Sequence, residues 1–254
     1  MRRHSIDISE TDGVRYLHFG NDAIQGAMRI ARPWALELEY TRDMLAGLIL
    51  RSEPGWPRTC LMIGLGAAAQ LRFLHRHFPA CRITVLEINP DVIATCAQFF
   101  KLPAAAANLE IITADASIWI GSAPADHYDL ILLDAFSAQG LPRSLDTSAF
   151  YGACRACLSA QGLLASNLLS HSAGFAARAR RIDRAFAGRT LRLPPCESGN
   201  TILLAAHGAR IGVSLATLHE RAAQLWQRTG LDLRPLLARL RLAHSLPEDR
   251  HLQL

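Results

Sequence analysis

Long apolar runs are missing from this sequence. Half of its 254 residues are hydrophobic, yet no stretch approaches the ~20 apolar residues a bilayer-spanning helix requires. The opening Met-Arg-Arg-His-Ser-Ile-Asp contains no apolar core of a secretory signal, so a cytoplasmic protein with no membrane partner is expected. Lysine is nearly absent, Lys101 being the only one among 27 basic residues. The formal charge of +5 therefore rests on arginines spread along the chain. No basic stretch is interleaved with aromatics, so the charge alone does not argue for a nucleic-acid partner. The six cysteines are scattered among apolar neighbours. Cys154 and Cys157 form the one close pair, inside a helical pattern, and no second pair or histidine cluster completes a zinc site. Reduced core thiols and no metal are expected.

What is present is enough chain for one large domain, or one domain with a small appendage. Val14–Phe19 and Ala23–Ile30 flank Gly20-Asn21-Asp22 and read as a β-hairpin. Pro33 precedes a helical pattern from Leu36 to Leu50, and Pro54-Gly55-Trp56-Pro57 then breaks the chain. From there strands (59–64, 82–87, 109–114, 128–134, 162–168) alternate with helices (67–78, 90–99, 116–121, 146–158). That alternation predicts a mostly parallel α/β sheet covered on both faces. Residues 173–188 read as an Arg-rich helix, with late strands at Thr190–Leu193 and Thr201–Ala206. Two amphipathic helices separated by Thr229-Gly230 fill 214–243. Their leucines (Leu233, Leu236, Leu237, Leu240, Leu242) suit the sheet edge or a dimer surface. The expected division is 1–50 for the hairpin and connecting helix, 51–210 for a nucleoside-binding Rossmann-like domain, and 211–254 for a helical extension.

The chemistry should lie at the carboxyl ends of the strands, where open α/β sheets bind ligands. The first strand of the main domain stops at Gly64-Leu65-Gly66 and gives way to a helix. Small residues there let a ligand approach the backbone near a helix N-terminus. Glu87 ends the next strand, about twenty residues on, and a carboxylate there can accept hydrogen bonds from both hydroxyls of a ribose. Asp115-Ala116 follows the third strand and Asp134 ends the fourth. Asp115 can accept from an adenine amino group, and Asp134 would face the reactive end of the ligand. Each acid also has a plainer reading: Asp115 as a helix N-cap, Glu87 as a cap for the helix starting at Asn89-Pro90, Asp134 as the start of a turn.

Several stretches together resemble the spermidine synthase (polyamine aminopropyltransferase) family, within the Rossmann-like class I S-adenosylmethionine-dependent methyltransferase fold. They are Ile63-Gly-Leu-Gly66, Val85-Leu-Glu-Ile-Asn-Pro-Asp-Val-Ile93, Ala114-Asp-Ala116, Tyr128-Asp-Leu-Ile-Leu-Leu-Asp134 and Phe150-Tyr151. The hairpin, Gln25 and Tyr40 resemble the family's small N-terminal β-domain and the tyrosine-bearing segment after it. The resemblance implies aminopropyl transfer from decarboxylated S-adenosylmethionine to a small-molecule amine, in polyamine biosynthesis, by a homodimer. It gives Gly64, Gly66, Glu87, Asp115 and Ala116 to the nucleoside, Tyr40 and Gln25 to the amine site, and Asp134 the role of proton acceptor.

The departures from the family pattern weigh on the donor and the acceptor. The family's Gly-Gly-Gly-Asp-Gly-Gly places an acid against the amino group of the aminopropyl chain, and Ala67 stands there in this sequence. Ser137 replaces the second acid of the Asp-Ser-Ser-Asp motif, and Tyr40-Thr41-Arg42 replaces Tyr-His-Glu or Tyr-Gln-Glu. A diamine with two positive ends would be poorly held. Two other readings use the same nucleoside pocket: methyl transfer from intact S-adenosylmethionine, and nucleoside binding without catalysis.

Overall fold

The computed structural model describes residues 5–20, 23–136, 140–244 and 251–254. Three antiparallel strands come first: β1 (Ile6–Thr11), β2 (Val14–Phe19) and β3 (Ile24–Arg29). The expected hairpin of two strands is thus a meander of three. Asp12-Gly13 joins β1 to β2 with both residues at positive φ (52° and 72°), the backbone of a type I′ turn. That Asp-Gly pair is the signal from which β1 could have been read. Of the second turn, Asn21 and Asp22 lie outside the described residues.

The helix expected over 36–50 is instead two short ones, α1 (Glu39–Asp43) and α2 (Gly47–Leu50). Between them the backbone tightens: Leu45 N donates to Arg42 O and Ala46 N to Asp43 O, each at 3.0 Å. These i→i+3 bonds pull the turn out of α geometry. They bring Gly47 against the Trp56 ring, where an added Cβ would lie 3.0 Å from a ring carbon.

The main sheet follows as β4 (Thr59–Ile63), α3 (Ala69–His77), β5 (Arg82–Glu87), α4 (Pro90–Phe99), β6 (Leu109–Thr113), α5 (Ala116–Trp119), β7 (Tyr128–Leu133), α6 (Ser148–Cys157), β8 (Leu158–Leu169), α7 (Phe175–Ala185), β9 (Thr190–Arg192) and β10 (Asn200–Ala206). Its order is β6-β5-β4-β7-β8-β10-β9. β4 to β8 run parallel, and β10 runs antiparallel to both its neighbours. The order reverses between β4 and β7, where such a sheet opens a crevice at its carboxyl edge.

Strand residues alternate between two apolar layers, as a period of two requires. Cys60, Met62, Val85 and Leu132 enter one layer with α3, α4 and the C-terminal helices. Leu61, Ile63, Leu86 and Leu133 enter the other with α6 and α7. Local chemistry starts the helices: Asn89 Oδ1 accepts from Asp91 N at 3.0 Å with Pro90 at the first position, and Thr147 Oγ1 accepts from Phe150 N at 3.1 Å.

The chain closes with β11 (Gly212–Ser214), α8 (Leu215–Thr229), α9 (Arg234–His244) and β12 (His251–Gln253), β12 pairing back onto β11. Gly230, at φ 75°, caps α8 in the left-handed conformation. Leu233, Leu236, Leu237 and Leu240 are buried against the core, whereas Leu242 of the same set is 76% exposed. Each buried leucine contributes about 1.5–3 kcal/mol, and Arg239, donating to buried Asp43 at 2.6 Å, helps seat α9 on the domain while Arg234 and Arg241 stay exposed. All six cysteines are free and buried. Among the described residues, no helix is long and apolar enough to cross a membrane.

Candidate active site

At the end of β4 the chain turns on two glycines of positive φ, Gly64 at 95° and Gly66 at 51°. Gly64 N donates to Leu86 O at 2.8 Å, and Asp134 N donates to Ile63 O at 2.9 Å. The first loop is thereby pinned between the ends of β5 and β7. Arg72 of α3, buried, donates to the carbonyls of Ala67, Phe100 and Pro33, which ties the same loop to α4 and to the segment after the meander.

Glu87 joins two loops. Its Oε2 accepts from Leu65 N and its Oε1 from Asn89 N, both at 2.9 Å. Burial pushes this carboxyl above its ordinary range, against the pull of those backbone donors. An ionised carboxylate has about four acceptor sites, more than the backbone donors Leu65, Ile88 and Asn89 fill. Replacing Glu87 with Gln turns an NH₂ toward a backbone N–H and leaves one buried donor unpaired. The variant should lose about 1–3 kcal/mol in urea unfolding, without any ligand present. An unchanged midpoint would show that these bonds do not order the loops.

Asp115 does act as the N-cap of α5: its Oδ1 accepts from Ser117 N at 2.8 Å and from Ser117 Oγ at 2.7 Å. Ala116, buried, opens the helix beside it. Asp134, just past β7, accepts at Oδ1 from Asn167 Nδ2 at 2.8 Å and receives a further hydrogen bond from the Tyr40 hydroxyl. Burial drives the Asp134 carboxyl up to about 6, and the Asn167 and Tyr40 donors restrain the rise. The same burial, with the Asp134 charge beside it, holds the Tyr40 phenol well above its usual range.

One cavity of about 800 Å³ collects these groups. Gly64, Gly66, Glu87, Asp115 and Ala116 line it, as do Asp134, Tyr40 and Gln25. Sequence reasoning missed Asn167, Asn200 and Ser198, which line the cavity beside Asp134. The available signals were faint: an amide in the apolar run of β8, and an asparagine after Gly199. Ile6 and Phe19 of the meander also line the cavity, Ile6 from the strand that the pattern did not reveal.

Of the altered motif positions, Ala67, Thr41 and Arg42 do not line the cavity. Ala67, 2% exposed, packs on β3, where a Cβ at Gly26 would lie 2.5 Å from the Ala67 Cβ. Thr41 is buried with its hydroxyl donating to Leu38 O at 2.6 Å. Ser137 lies outside the described residues.

Comparison with known proteins matches residues 38–171 to the spermine/spermidine synthase domain. A polyamine aminopropyltransferase of Neisseria meningitidis is 31% identical over 239 residues, 94% of this chain and 90% of the relative. A probable spermidine synthase from Corynebacterium glutamicum superposes with a TM-score of 0.73 at 19% identity, over 87% of this chain and 84% of the other. Human methyltransferase-like protein 13, solved in complex with SAH, gives a TM-score of 0.67 at 24% identity, over 76% and 92%. These two structures share the Rossmann-like fold.

Proposed function

This chain belongs to the spermine/spermidine synthase family, and from that premise we propose that it transfers an aminopropyl group from decarboxylated S-adenosylmethionine to a small-molecule amine. The observation that carries the reading is the single cavity with the Glu87 and Asp115 carboxylates and a buried carboxylate, Asp134, bonded to Tyr40 and Asn167. Glu87 holds the ribose through the acceptor capacity its backbone bonds leave open. Asp115 receives the adenine amino group at the oxygen Ser117 does not use, with Ala116 and the bare backbone of Gly64 and Gly66 beside the nucleoside. Tyr40 and Gln25 line the amine end.

The reaction is one displacement. The amine nitrogen forms a bond to the carbon next to the sulfonium as the carbon–sulfur bond breaks, and methylthioadenosine leaves. An ammonium has no lone pair, so the nitrogen must shed a proton, and Asp134 takes it. The protein otherwise contributes placement, holding nitrogen and carbon about 3–3.5 Å apart. Since Ala67 sits beneath Gly26, no acid at position 67 meets the donor's amino group. A homodimer in the cytoplasm is part of this reading; the partly exposed Ile30 (37%) at the edge of the meander supports the dimer.

Calorimetry with decarboxylated S-adenosylmethionine, its intact form and methylthioadenosine, followed by turnover on amines, tests the assignment. Tighter binding of the decarboxylated donor and release of methylthioadenosine with an amine are expected. Tighter binding of the intact donor would move the chemistry to methyl transfer. Nucleoside binding with no turnover on any amine would leave a binding protein.

A further inference from the structure

Asp134 is the last member of a directed chain of hydrogen bonds. Ser198 Oγ donates to Asn200 Oδ1 at 2.8 Å, Asn200 Nδ2 to Asn167 Oδ1 at 2.9 Å, and Asn167 Nδ2 to Asp134 Oδ1 at 2.8 Å. The chain runs from an exposed serine to an asparagine 2% exposed inside β8. Strand pairing builds it: Asn167 stands opposite Ile202 on antiparallel β10, and Asn200, two residues before Ile202, points to the same face.

An amide has a donor end and an acceptor end, and its neighbours decide which way it faces. Turning the Asn167 amide over would set its oxygen against a carboxylate oxygen and its NH₂ against the NH₂ of Asn200. Both contacts are repulsive in a buried site, where unmatched polar groups are costly. Its NH₂ is therefore held toward Asp134. Tyr40 differs, because a hydroxyl can rotate from donating to accepting. To the ionised carboxylate, which has no proton to give, Asn167 can only donate.

We propose that Asn167, held by Asn200 and Ser198, is a positioning residue that reserves one carboxylate oxygen of Asp134 as the proton acceptor. With Oδ1 facing a fixed N–H, the amine proton lands on Oδ2, and the Tyr40 hydroxyl turns to accommodate it. The inference rests on the role given to Asp134 above. The other titratable groups of the setting are Tyr40 on α1 with Cys196 near it, and the cavity carboxylates Glu87, Asp91 and Asp115. Next to Asp134, β8 and the turn into β10 contribute neutral groups: Asn167, Asn200 and Ser198.

The test compares Asn167→Leu, which removes the donor, with Asn167→Asp, which keeps the shape and still accepts from Asn200. The first readout is the acid limb of kcat against pH. The second needs no turnover: titration of the carboxyl infrared band that Asp134→Asn removes. A hydrogen bond to a charged group contributes about 1.5–3 kcal/mol, so Asn167→Leu should move both upward by about 1–2 pH units. Asn167→Asp should move them further, since adjacent carboxylates resist ionising together. Methylthioadenosine affinity should change less than about threefold in each, which a general loss of structure would not allow. An unmoved or lowered band titration in both variants overturns the inference. Absence of amine transfer by the wild type would count against the assigned activity, and the band titration would still decide the role of Asn167.

Discussion

Asp134→Asn is expected to lower kcat for amine transfer by about 10²–10⁴-fold, the usual worth of a positioned general base, while methylthioadenosine binds almost as before. The substituted amide is nearly isosteric. Its oxygen can accept from Asn167, and the Tyr40 hydroxyl can accept from its NH₂, so no buried donor is orphaned. The sign of the pH effect follows from the raised carboxyl. With Asp134 near 6 in the folded protein, the basic form is depleted as pH falls through 6, and wild-type kcat should fall with it. Stability runs the other way. A folded-state value above the ordinary 3.8 means the folded protein holds the proton more tightly, so stability declines as pH rises from about 3.8 to 6. Above that window the variant escapes the cost of a buried charge and should melt no lower than the wild type. Loss of nucleoside binding together with transfer would show that Asp134 supports the fold rather than the chemistry.

Gly64→Ala is expected to destabilise the protein by about 2–5 kcal/mol, combining left-handed backbone strain with steric overlap. A Cβ at this position, with φ at 95°, would lie 2.3 Å from the Asp134 carbonyl oxygen and 3.1 Å from the Ala135 Cα. The ends of β4 and β7 would have to part, and Asp134 would move away from the first loop. Gly55→Ala separates the two causes, because Gly55 also has positive φ (76°) but nothing within 4 Å of an added Cβ. It should cost only the backbone share, about 1–2 kcal/mol. Equal urea midpoints for the two variants would mean that the contact with Asp134 is not tight. Gly64→Ala should also weaken methylthioadenosine binding, whereas Gly55→Ala should leave it unchanged.

The main sheet was legible because burial on both faces makes each parallel strand a continuous apolar run, and helix caps such as Asn89-Pro90 mark where those runs give way. Glu87, Asp115 and Asp134 stood out as carboxylates ending such runs. Other elements depend on distant partners. β12 exists because β11, some forty residues earlier, offers it an edge, and the tightened turn between α1 and α2 brings Gly47 against Trp56. Neither leaves a local pattern.

The sequence by itself determined the class of the fold and the strand ends at which acids meet a ligand, since periodicity and chain order are local properties. Only the tertiary structure decided that Asn167 and Asn200 stand behind Asp134, that Glu87 ties two loops together, and that Ala67 lies under Gly26. Those relations arise when residues far apart in the chain are packed side by side, where the direction of a buried amide or the room for one methyl group is set by its neighbours.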